Sequence, residues 1–152
     1  MKILALKKAI VTASVLFAIG YAAITSAHTA GGAIDAAGTN ASATDLATVS
    51  CYDDGDGATA YLFVQIEDQS AQVPGLLVSI QAYKGTQMTN SSDPVSGDGL
   101  AGPGAQLWAG DGTYYISVSK TAAGARLFTI TYHCMTSNNI HTGTDIGVLQ
   151  AQ

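Results

Sequence analysis

Three histidines, His28, His133 and His141, are the residues of this chain best suited to transition-metal chemistry. Imidazole nitrogen suits zinc, copper and nickel, and a neutral ring offers one lone pair without changing the local charge. His28 carries a second opportunity. It follows Thr25-Ser26-Ala27, a small-x-small site of the kind at which exported chains are cut. Cleavage after Ala27 makes His28 the N-terminus, so its amine and imidazole form a chelate. A second imidazole, from His141 or His133, then completes the nitrogen-rich tetragonal set that Cu(II) prefers. Asp145 lies close to His141 in sequence and is a further candidate ligand.

Residues 1–27 read as the leader that such a cut requires. Lys2, Lys7 and Lys8 precede an apolar run from about Ala9 to Ala23, and small residues follow. That run is short of the roughly 20 residues that span a bilayer, and no second run follows, so no membrane segment is expected after removal of the leader. The expected location is secreted or periplasmic. The chain holds six Lys and Arg and eleven Asp and Glu; the leader takes three of the lysines and no acid, leaving a net charge of −8. Such an acidic chain excludes nucleic acid and anionic lipid as partners, since both demand clustered cations. A metal ion, a glycan or another copy of the chain remain as partners.

The element that must position these residues is the stretch Arg126 to Met135. Read with a period of two, Phe128, Ile130, Tyr132 and Cys134 share a buried face, and Leu127, Thr129, Thr131 and His133 face outward. Ala47, Val49 and Cys51 share a face in the same way. Two cysteines in an exported chain imply one disulfide, and both point into the core, so Cys51–Cys134 is expected to join the two layers. Closing that loop is worth about 4 to 5 kcal/mol in the loop-entropy model.

Further alternating runs occupy Thr59 to Glu67, Leu76 to Tyr83, Ala105 to Ala109 and Thr113 to Lys120, and a last strand is expected within His141 to Gln152. Turn signals separate them every eight to twelve residues, and no helical period appears outside the leader. The expectation is an all-β, two-sheet sandwich of about seven short strands with one inter-sheet disulfide. Residues 43–152 form its domain. Residues 28–42, almost all Gly, Ala and Thr, are expected to be a flexible arm, because Ile34 alone is large and apolar. The run 43–52 and the run 59–67 are expected to pair as a hairpin across Asp53-Asp54-Gly55-Asp56-Gly57. These aspartates cap their own turn; as calcium ligands they lack the twelve-residue spacing and final Glu of a calcium hand.

Tyr132 precedes Cys134 by two residues, and this spacing resembles the tyrosine corner of immunoglobulin-like sandwiches. The resemblance implies an immunoglobulin-like architecture. His28 on a small β scaffold resembles, more distantly, the periplasmic copper-resistance carriers that begin with a ligating histidine, and the copper-dependent polysaccharide monooxygenases with their histidine brace. The carriers' Asp-Gly-His motif is absent here.

No Gly-x-Ser-x-Gly elbow occurs, and Glu67 is the sole glutamate, so neither a nucleophilic triad nor a carboxylate pair is indicated and no catalytic residue is assigned. The expected function is binding or structural, with copper at His28 as the specific form. The alternative is a subunit of an extracellular fibre or surface layer built by strand addition, and copper-dependent polysaccharide oxidation ranks third.

Overall fold

The computed structural model describes residues 28–152, so the leader assigned to residues 1–27 lies outside the described residues. The described residues form nine strands: β1 (His28–Ile34), β2 (Thr44–Tyr52), β3 (Tyr61–Asp68), β4 (Val78–Lys84), β5 (Gln87–Ser92), β6 (Ala105–Leu107), β7 (Gly112–Lys120), β8 (Arg126–Met135) and β9 (Gly143–Gln150). They form two antiparallel sheets, ordered β1-β8-β3-β6 and β5-β4-β7-β2-β9. No helix among the described residues is long and apolar enough to cross a membrane.

Alternation places the core. Val49 and Cys51 from β2, Leu62, Val64 and Ile66 from β3, Val78 and Ile80 from β4, and Tyr114, Ile116 and Val118 from β7 are all buried between the sheets. Phe128, Ile130, Tyr132 and Cys134 complete the layer from β8, in the order that a period of two demands. Cys51 and Cys134 are bonded, with Cα atoms 5.5 Å apart, and so link one sheet to the other. A covalent link between oxidised cysteines is compatible with an oxidising compartment.

Residues 28–34 are not the free arm that their composition suggests. They form β1, in antiparallel register with β8 from His28 opposite Tyr132 to Ile34 opposite Arg126. Main-chain hydrogen bonds require no side chain, and small residues are what this position accepts: a Cβ on Gly32 would come within 2.5 Å of the Phe128 ring. The strand is secured at its far end. Ile34 is fully buried, and Asp35, in the left-handed region at φ 55°, accepts hydrogen bonds from Lys120 Nζ and from the amides of Thr39, Asn40 and Gly124. The Asp35–Lys120 ion pair is 2.7 Å long and buried. These bonds hold the Asp35 carboxyl well below the usual carboxylate range, the Lys120 ammonium being the largest cause.

β2 and β3 also depart from the expected arrangement. They do not pair as a hairpin: β2 lies between β7 and β9, while β3 lies between β8 and β6 in the other sheet. The Asp-rich segment is therefore a crossover between layers. Both strands are apolar on one face, so each must bury that face against the other sheet. β5 pairs with β4 out to Ser92, continuing from the Gly85-Thr86 turn.

Candidate metal centre

β8 is the platform of the site. One of its edges pairs with β3, out to Tyr61 opposite Met135. The other edge pairs with β1 as far as His28 opposite Tyr132, and beyond that point a single bridge joins Met135 to His141. A strand has two edges, so β1 and the segment around His141 occupy the same one in succession. This brings residues 28 and 141 together at the end of the sheet, beside His133.

The geometry is that of a ligand cluster. His28 Nδ1 lies 3.0 Å from His141 Nε2. The His28 and His141 ring centroids are 4.9 Å apart, and His133 meets His141 edge-on at 5.4 Å. One nitrogen from each of the three rings lies within 4.8 Å of the other two. A metal bonded to nitrogen at about 2.0 to 2.1 Å holds its ligand atoms about 2.8 to 4.2 Å apart, from the cis pairs of a tetragonal site to its trans pairs, so small side-chain movements would close the three rings on an ion. Among the described residues these three histidines form a group able to hold a metal ion.

Two further observations fit a metal. His133 Nδ1 is buried without a hydrogen-bond partner, an unmet requirement on one ring of the cluster. Burial pushes the His133 and His141 imidazoles below their ordinary range; nearby His28 adds to both shifts, and the Asp54 and Asp56 charges partly oppose the one on His141. A depressed imidazole is neutral at physiological pH, with its lone pair free to bind an ion.

The surroundings fix each ring. His28 stacks on Tyr132 with centroids 5.8 Å apart, and Phe63 lies 6.0 Å from His133. His141 is held through its neighbours. Thr142 is fully buried, its amide donates to Cys134 O at 2.9 Å, and its hydroxyl points among Gly57 O at 2.7 Å, Tyr52 O and Asp54 Oδ1. The Thr144 hydroxyl accepts from the Cys134 amide at 3.0 Å and lies 3.4 Å from His141 Nε2. Gly143 between them has no room for a side chain, since a Cβ would meet the Tyr52 ring at 2.4 Å. The disulfide, the acidic crossover and the histidine loop are thus bonded to one another.

Asp145 is not brought into the cluster. It is exposed on β9, opposite Ser50, and its carboxylate lies beside the Tyr52 phenol, whose proton it helps retain. Asp53 and Asp54 cap the crossover, Asp53 accepting from the Gly55 and Gly57 amides. Thr142, Thr144 and Tyr132 escaped the sequence reading as parts of the site. Their roles arise from pairings across more than eighty residues or across sheet edges, and no local pattern encodes those. Comparisons with known protein families, with curated proteins and with solved structures find no match.

Proposed function

We propose that this protein is an exported, non-catalytic copper-binding module that holds the ion between His28, His133 and His141. The observation that carries the reading is the convergence of three histidines from the first strand, the central strand and the loop after it, 113 residues separating the outer two. Neutral nitrogen donors without a carboxylate favour copper or zinc over calcium or magnesium. Removal of residues 1–27 in the secretory or periplasmic compartment adds the His28 amine as a fourth nitrogen, which favours Cu(II) over Zn(II). Bound copper would supply a redox-active centre; the chain's own residues bind it and fix the rings, and burial keeps those of His133 and His141 neutral.

The test is titration of the processed protein with Cu(II), followed by calorimetry and electron paramagnetic resonance. Submicromolar binding at one equivalent is expected, with a spectrum of several nitrogen ligands. Adding one residue before His28 should weaken binding sharply, and equal affinity in the extended protein would remove the amine from the site. A second reading, strand addition between copies, is favoured by the open edge of β9, where Val148 and Leu149 are exposed. Polymers that persist without metal would support it; a monodisperse monomer at high concentration would refute it.

A further inference from the structure

The two sheets part along one side. β1 ends one sheet and β9 ends the other, and between these edges lies a cavity of about 130 Å³. Its cause is visible in the sequence of β1. The residues that follow His28 along its side of the strand are Ala30 and Gly32, and neither can reach across to β9. Ile116, Ile130 and Ile146 supply much of the remaining wall. Asp45 and Gln150 also border it, and burial raises the Asp45 carboxyl above its ordinary range, as a low-dielectric setting would.

We propose that this cavity is a binding site for a small, uncharged, apolar molecule, of the size of a six-membered hydrocarbon ring or a short alkyl chain. Volume and lining together select that class. A closed cavity of about 150 Å³ walled by aliphatic and aromatic side chains stays dry and holds benzene or xenon. The present cavity opens to solvent between the two edges, where Val148 is exposed, and an apolar occupant would displace water from a wall that mostly offers it no hydrogen bond. A charged or strongly polar ligand would lose its hydration with only Asp45 and Gln150 to compensate. Ala30 follows His28 by two residues, about 7 Å along the strand, so the occupant would lie one repeat from the histidine cluster. The site itself requires no metal.

The experiment is titration of the metal-free protein with benzene, observed through isoleucine methyl resonances, with xenon as a second probe. Saturable shifts at Ile116, Ile130 and Ile146 are expected, with methyls in the β4–β5 hairpin region unmoved. Ala30→Leu should fill the space from β1 and weaken benzene binding by about tenfold or more, a loss of about 1.4 kcal/mol or more. Ile146→Phe should do so from β9, and serves if the first variant fails to fold. Absence of saturable shifts, or unchanged affinity in a folded variant of either kind, overturns the proposal. So does a response of the same methyls to protein concentration and not to benzene, which would assign the opening to a second copy of the chain.

Discussion

Replacing both cysteines by alanine should cost about a third or more of the stability that this sandwich possesses. The disulfide joins residues 83 positions apart in sequence, from β2 in one sheet to β8 in the other. Constraining a loop of that length in the unfolded chain is worth about 4 to 5 kcal/mol in the loop-entropy model. A domain of this size has about 5 to 15 kcal/mol in total. Both side chains are buried, so alanine adds only a small packing loss in the folded state. The assay is urea unfolding of the metal-free oxidised protein and of Cys51→Ala/Cys134→Ala under the same conditions. With a slope of about 1 to 3 kcal/mol per molar, the midpoint should fall by about 1.3 to 5 M, and the slope should rise as the unfolded state expands. A loss below about 1 kcal/mol would refute the reasoning, because the bond would then not be acting on the unfolded ensemble.

Three other outcomes follow from the geometry. Thr142→Val removes a fully buried hydroxyl whose nearest acceptor is Gly57 O, so urea unfolding should show a loss of about 1 to 3 kcal/mol and metal titration a weaker site; a change in neither would detach Thr142 from His141. Gly32→Ala places a methyl 2.5 Å from the Phe128 ring and should destabilise by about 1 to 3 kcal/mol, measured the same way. Asp35 is held ionised in the folded state, chiefly by Lys120, so its contribution is present above the unfolded value near pH 4 and is lost as pH falls toward the lower folded value. The urea midpoint of the wild type should therefore drop on acidification in that window, and Asp35→Asn should be weaker at pH 7 with a flatter acid limb.

The faces of the sandwich were legible because they are a local property. Along β8 every second residue is buried, and the alternation Phe128, Ile130, Tyr132, Cys134 states this directly. The same rule identified the cysteine pair, since two thiols on inner faces have the core as a common destination. Connectivity was not legible. The acidic turn between β2 and β3 has the residues of a hairpin, yet those strands belong to different sheets, a choice made by packing across the core. β1 failed for a related reason. Its side chains bury too little to predict order, and what orders it is supplied elsewhere: the free edge of β8, the space over Phe128, and Lys120 waiting for Asp35. The three histidines were visible as residue types, but their meeting depends on β1 and the His141 loop sharing one edge of β8.

That shared edge bears on the choice between a metal module and a strand-exchanging subunit. β1 buries few side chains, so its hold on β8 rests on the register and on its two ends. At one end Asp35 gathers Lys120 and three amides around a buried carboxylate. At the other, His28 stacks on Tyr132 and reaches His141. An ion bound by His28, His133 and His141 would clamp that second end to β8 directly, and by mass action it would stabilise whichever arrangement places the three rings together. Within one chain, β1 achieves this with Asp35 still seated on Lys120. To reach a neighbour's histidines, the strand would have to give up that buried pair, unless residues 35–43 could span both molecules. The Asp35 cluster therefore biases β1 toward its own β8, and the metal reading follows more directly from the fold than exchange does.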